Sequence, residues 1–202
     1  MKPSELYTEI TGQTGLFNIQ AIGNIPSIMQ RGLLSNEKAS RINHMSIAMQ
    51  EVQERRDTVV IPNGMALHKY ANVYFDPKNP MLYKRQNEYD NICILKFDCS
   101  ILDFDGVIVS DRNASSRYAS FFPPEIGLRV IDFKLVFAAD WRDDNQFEYF
   151  RKKSIKCAEV LVPYSVPFNF VLCAAVYNEL TKKKLEDVGF DGNIYVEPKL
   201  FF

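Results

Sequence analysis

Histidine, tryptophan and paired cysteine are all scarce in this chain of 202 residues. The two histidines are His44 and His68. The four cysteines, Cys93, Cys99, Cys157 and Cys173, form no CxxC pair and have no histidine close by. Zinc ligands come at short, repeated spacings, so no metal is expected. No phosphate loop, GxGxxG, GxSxG or HExxH pattern occurs, and the chemistries those patterns carry are removed with them. No stretch approaches the ~20 apolar residues that span a bilayer. The opening MKPSELYTEITGQTG lacks the apolar centre of a signal peptide. The expectation is a cytoplasmic protein with free, mostly buried thiols and no membrane contact. Charge of one sign is also lacking: Lys+Arg 24 against Asp+Glu 25 leaves a net charge of -1. A nucleic-acid partner would therefore need a local basic patch.

What is present is an ordinary globular balance, 47% hydrophobic and 24% charged, in a chain long enough to bury a core without staples. No repeat, low-complexity tract or linker divides it, so one domain over residues 1–202 is expected. Residues 1–14 are polar and read as frayed or loosely docked. Leu16–Ile19 reads as a strand, followed by a short helix with Asn24 as N-cap, Pro26 in its first turn and Gly32 as its stop. Ser46–Arg56 reads as a helix ending on the basic pair Arg55-Arg56. Residues 57–72 read as loop, Val73–Phe75 as a strand and Asp76–Pro80 as a rigid turn. Asn91–Phe97, Gly106–Ser110, Ala158–Val162, Phe170–Tyr177 and Ile194–Glu197 read as strands. Ala114–Phe121 reads as a short helix. Asn178–Val188 reads as a helix closed by Gly189. Asp140–Lys156 is highly charged without an apolar period, and reads as an exposed loop or ragged helix. Strands outnumber helices, which makes the class α+β.

Three features carry possible chemistry, each beside a blander reading. Glu159 opens the apolar strand CAEVLV. A carboxylate there can be held rigidly and aimed into a cleft, where it would stabilise developing positive charge; otherwise it is an exposed strand end. Arg55 and Arg56 could clamp a pyrophosphate, because guanidinium forks match phosphate oxygens; otherwise they complement a helix dipole. Phe17, Tyr74 and Phe75 could stack on a ring, although aromatics in short strands usually belong to the core. Neither histidine has an evident Ser or Cys partner in sequence, and both read as structural or solvent-exposed.

The order of these features along the chain resembles the DarT family, the DNA ADP-ribosyltransferase toxins of bacterial toxin–antitoxin systems. The segments that carry the likeness are FNIQAIGNIPSIMQRGLLS, HMSIAMQEVQERR, YFDPKNPMLY, VSDRNASSRYASFF and KCAEVLVP, with the final strand running into Phe201-Phe202. The resemblance implies an ADP-ribosyltransferase fold: a split, mostly antiparallel β core with flanking helices and NAD in the cleft between its halves. It implies NAD as co-substrate, no metal, and transfer of ADP-ribose to a base in single-stranded DNA, thymine first and guanine second. It further implies a DarG-like macrodomain antitoxin as partner, and a bacterial or phage origin. By position, Glu159 and Arg56 take the catalytic roles. NAD would meet Phe17, Asn18, Gln20, Asn24, Arg55, Arg56 and Tyr74. Trp141–Lys156 becomes the substrate-recognition loop. Arg117, Arg151, Lys152, Lys153 and Lys156 are candidates for phosphate contacts, and Trp141, Tyr149 or Phe150 for stacking. The family's first strand commonly reads Tyr-His-Ile-Thr-His, where this chain has Phe17-Asn18-Ile19-Gln20-Ala21. Asn18 still offers a side-chain donor or acceptor there. Two other readings stand beside this one: transfer to RNA or protein on the same fold, and a catalytically silent NAD- or nucleic-acid-binding module.

Overall fold

The computed structural model describes residues 1–45 and 50–202. The N-terminus is a docked helix, α1 (Pro3–Thr11), rather than a frayed tail. Leu6 and Tyr7 on its inner face are buried, and Asp103 accepts hydrogen bonds from the Ser4 backbone and hydroxyl at 2.8 and 2.7 Å. A polar composition hid two anchors one turn apart.

From there the chain runs β1 (Gly15–Ala21), α2 (Ile25–Arg31), β2 (Leu33–Leu34), α3 (Asn36–Ala39) and α4 (Gln50–Asp57). The proposed Ser46 start of α4 lies outside the described residues. Asn24 stands at the N-cap position of α2, as expected, but in helical conformation after a 3-10 turn and with no side-chain capping bond. Gly32 does end α2, at φ 79°. A Cβ there would lie 2.4 Å from the Val166 carbonyl oxygen, so glycine is required twice over.

Next come β3 (Tyr70–Tyr74), α5 (Pro80–Tyr83), β4 (Ile92–Asp98), β5 (Ile108–Ser110), β6 (Phe121–Phe122), α6 (Pro124–Val130) and α7 (Phe133–Val136). β3 begins inside the stretch read as loop, with Tyr70 and Asn72 alternating with Ala71 and Val73 from its first residue. No helix forms over 114–121. There Asn113 Oδ1 accepts the Ser115 backbone and hydroxyl protons in a tight turn. The chain closes with α8 (Gln146–Ile155), β7 (Glu159–Pro163), β8 (Ser165–Val166), β9 (Val171–Val176), α9 (Glu179–Asp187) and β10 (Ile194–Val196). α8 is a regular helix inside the charged run. Asn145 caps it, accepting from the Phe147 and Glu148 backbone.

Eight strands form one sheet in the order β10-β9-β4-β1-β3-β7-β5-β6. All pairings in it are antiparallel except β10 with β9. β1 pairs with β4 along its whole length but with β3 only at Phe17↔Tyr74. The sheet is therefore two halves hinged at one register, and a cleft opens between them. Strand alternation then sorts the side chains. Ala71, Val73 and Phe75 enter the main core with Ala158, Val160 and Val162. Tyr70, Asn72 and Tyr74 line the cleft, and Glu159 pairs opposite Tyr74.

Candidate active site

The cleft holds about 730 Å³, within the size range of small-molecule sites. At its floor stands a buried ion pair. Arg56 Nη1 donates to both Glu159 carboxylate oxygens at 3.1 Å. The Ala114 backbone N–H donates to Glu159 Oε1 at 3.0 Å, and the Ser110 hydroxyl accepts from the Glu159 backbone N–H at 3.3 Å. Glu159 is therefore not an exposed strand end. It is fully buried and lies behind Arg56, which lines the cleft. Burial, reinforced by the Glu159 charge, pushes the Tyr74 phenol up and the Cys157 thiol up to about 12. Both stay protonated at neutral pH.

Among the described residues, three buried polar side-chain atoms have no hydrogen-bond partner: Asn18 Oδ1, His68 Nε2 and Ser154 Oγ. All three residues line this cleft. Asn18 Nδ2 donates to the Asn72 carbonyl at 2.9 Å, across the split between the halves. That bond fixes the amide and leaves Oδ1 as an acceptor. Gln20 and Asn24 join at 3.1 Å, and Asn24 also exchanges two 2.8 Å bonds with the Met45 backbone. Unpaired polar atoms cost free energy in an empty protein and suit a ligand rich in donors and acceptors. That chemistry fits NAD.

Of the residues expected to meet NAD, Asn18, Gln20, Asn24, Arg55, Arg56 and Tyr74 line the cleft. Phe17 does not; it packs against the apolar cluster of Ile19, Leu82 and Ile94. The expected DNA contacts divide sharply. Arg117, Lys153 and Phe150 line the cleft. Trp141 is buried, edge-on to Tyr83 and Phe202. Its ring braces the C-terminus and has no free face for a base. Lys156 is buried and bonded to Asp76 and to the Val136 and Ala138 carbonyls. Arg151 pairs with Glu148 and Lys152 with Asp143, and Lys153 lies over the Tyr149 ring; neither Arg151, Lys152 nor Tyr149 reaches the cleft lining. Charge along a helix cannot tell a strand-binding cation from one already neutralised by its neighbour.

Sequence reasoning missed Tyr118 and His68. Tyr118 is 77% exposed on the cleft rim, in the segment read as a helix. His68 Nδ1 lies 2.7 Å from Asp57 Oδ1. The signal was a Pro-Asn-Gly turn between them. A bridge of Val60 to Ala66 folds residues 58–67 back and brings position 68 to 57. Burial lowers the His68 pKa, outweighing the opposing pull of Asp57, and Arg56 lowers it further. The lining carries Arg55, Arg56, Lys84, Arg117 and Lys153 against Glu51. A chain of net charge -1 thus has a locally cationic opening. Among the described residues there is no group of three or more His, Cys, Asp or Glu placed to hold a metal, and no helix is long and apolar enough to cross a membrane.

A split antiparallel sheet with an arginine–glutamate pair under its cleft defines an ADP-ribosyltransferase-type architecture. A family model described as "ssDNA thymidine ADP-ribosyltransferase, DarT" matches residues 17–202, and the chain belongs to that family. It is 29% identical over 177 residues to a DNA ADP-ribosyl transferase of Thermus sp. strain 2.9, covering 82% of each chain. It is 26% identical over 198 residues to a DNA ADP-ribosyl transferase–DNA ADP-ribosyl glycohydrolase fusion protein of Thermosipho africanus, covering 93% of this chain and 49% of the fusion. The chain thus spans about half the length of that relative. The Thermus sp. 2.9 DarT structure with ADP-ribosylated ssDNA superposes at a TM-score of 0.79, with 24% identity over 94% of this chain and 96% of that one. The same protein with NAD+ gives 0.74 at 23% identity, over 94% and 98%. These likenesses establish the fold.

Proposed function

We propose that this chain, as a single domain over residues 1–202, transfers ADP-ribose from NAD to a base in single-stranded DNA. Thymine is the acceptor we assign, with guanine as the alternative to it. The observation that carries the reading is the Arg56–Glu159 pair at the floor of the cleft. Family membership supports it, as do the ligands in the Thermus protein's structures, NAD+ and ADP-ribosylated ssDNA. NAD supplies an activated ADP-ribose, and this chain's residues hold and polarise it. Asn18 Oδ1, buried without a donor, would accept from a carboxamide N–H. Arg56 and Arg55 would take the pyrophosphate. When Arg56 turns toward phosphate oxygens, Glu159 is uncovered to accept from the ribose 2′-hydroxyl and to stabilise positive charge at the neighbouring carbon. Tyr118 and Phe150 offer exposed rings for bases, and Arg117 and Lys153 offer cations for the strand. A DarG-like macrodomain partner is supported by the glycohydrolase half of the Thermosipho fusion. The test is labelled-NAD transfer to matched single-stranded DNA, duplex DNA, RNA and protein. Label on single-stranded DNA, lost in Glu159→Gln, is expected. Efficient label on RNA or protein with none on DNA would overturn the assignment.

A further inference from the structure

The cleft is cationic along most of its length but carries one acid. Arg56 stands on Glu159, so the bond to be broken lies at that end of α4. The adenosine half of NAD then extends toward the earlier residues of the helix. There Ile28, Leu34, Ala39, Ile42 and Val52 give the lining an apolar stretch that suits a flat base. Glu51 stands beside Val52, and it is the one acid among the described residues of the lining. We propose that Glu51 is a specificity-determining residue of this cleft. Its carboxylate accepts from the hydroxyls of the adenosine ribose and turns away NADP, which carries a phosphate on the 2′ oxygen. This rests on the NAD reading above.

Helix geometry sets the placement. Glu51 and Arg55 are four residues apart on the face of α4 that lines the cleft, one above the other and about 6 Å apart along the axis. Arg55 and Arg56 take the pyrophosphate in the reading above, so Glu51 stands one sugar further on. The Glu51 side chain is exposed, and no hydrogen bond or ion pair among the described residues engages it. A carboxylate only accepts, which matches ribose hydroxyls. The same carboxylate opposes a phosphate monoester, which adds about 1.5–2 negative charges at neutral pH. Dinucleotide-binding folds of another architecture make this choice in the same way, with an acid on the 2′-hydroxyl for NAD and an arginine on the 2′-phosphate for NADP.

No cation near this end is left to offset the acid. Arg55 and Arg56 are taken by the pyrophosphate. Lys84, Arg117 and Lys153 belong to the end of α5, the turn before Tyr118 and α8, which is the wall assigned to the DNA strand. On and after α3, Lys38 lies over the Tyr164 ring and Arg41 pairs with Glu37. An acid in the first turn of α4 also suits the helix dipole, but that role is indifferent to a third phosphate on the nucleotide.

The experiment compares the full chain with its Glu51→Gln and Glu51→Arg variants, each on a Glu159→Gln background that prevents turnover. Calorimetric titration with NAD and with NADP, without DNA, gives the preference. With Glu51 present, NADP should bind about 30-fold or more weaker than NAD. Glu51→Gln should narrow that gap by about 10-fold, mainly by tightening NADP, and Glu51→Arg should close or reverse it. Raising the salt concentration should narrow the gap only where Glu51 is present, because exposed charges are screened. With Glu159 restored, kcat for labelled transfer from NAD to single-stranded DNA should stay within about three-fold in Glu51→Gln, since the lost contact is remote from the reacting carbon. A helix-dipole role alone would move Tm by about 1–4 °C and leave the NADP-to-NAD ratio untouched. That result, or equal binding of the two nucleotides with Glu51 present, would overturn the proposal. The preference is measured without DNA, so a chain that prefers NAD through Glu51 yet labels no DNA would refute the acceptor assignment alone.

Discussion

Arg56→Ala should be the most damaging single change at the candidate site, and its damage should register in stability before chemistry. The Arg56 side chain is 9% exposed and Glu159 not at all. Removing the guanidinium strands a buried carboxylate with the Ala114 backbone N–H as its remaining hydrogen-bond donor. Breaking a buried pair from one side costs about 3–5 kcal/mol. For a chain of this length 1 kcal/mol shifts Tm by about 2–4 °C, so a fall of about 6–20 °C is expected. Glu159→Gln keeps the shape and still accepts from Ala114, and loses a charge-assisted bond worth about 1.5–3 kcal/mol. Its Tm should fall by about 3–12 °C. The double variant carries no stranded charge, so its loss should be smaller than the two singles added, by about 0.5–3 kcal/mol. Scanning calorimetry of the four proteins at one pH and salt concentration gives the cycle. Additive losses would mean that the pair contributes no coupling, and the picture of Arg56 as the lid over Glu159 would fall. Calorimetric titration with NAD at a temperature where all four are folded then separates binding from stability.

Lys156→Met should lower Tm by a similar 6–20 °C, since it strands Asp76 and two carbonyls, and should spare DNA transfer below that temperature; a selective loss of transfer would return Lys156 to the substrate. Tyr118→Ala and Phe150→Ala should each weaken DNA binding by about 1–3 kcal/mol per stacked base, read by fluorescence anisotropy, while Trp141→Ala should act on Tm; the reverse pattern would refute the assignment. Because the folded pKa of His68 is lowered, the unfolded chain takes up its proton first. Unfolding free energy should therefore fall as pH drops below about 6.5. Tm measured between pH 7.5 and 5.5 should show a shallower slope in His68→Gln, and an unchanged slope would remove His68 from the titration.

The α+β class, most of the strands, and the order of motifs that marks the family were legible along the chain, because strand alternation and the Gly32 and Gly189 helix stops are local choices. The sequence also named Glu159, Arg56, Asn18 and Tyr74, whose residue types carry the chemistry. Whether a side chain is free was settled only by tertiary structure. Lys156 and Lys153 lie three residues apart in one charged run, yet one is sunk against Asp76 while the other lines the cleft. Trp141 read as a stacking ring until Tyr83 and Phe202 took both its neighbours' places. Asp57 and His68 are eleven residues apart along a loop, and only its return through Val60 and Ala66 makes them a pair. Glu159 read as an exposed strand end because its partner stands 103 positions away. Local pattern sets the backbone and the chemistry of each side chain; long-range packing decides which of those side chains is already spent on the protein and which is left for a ligand.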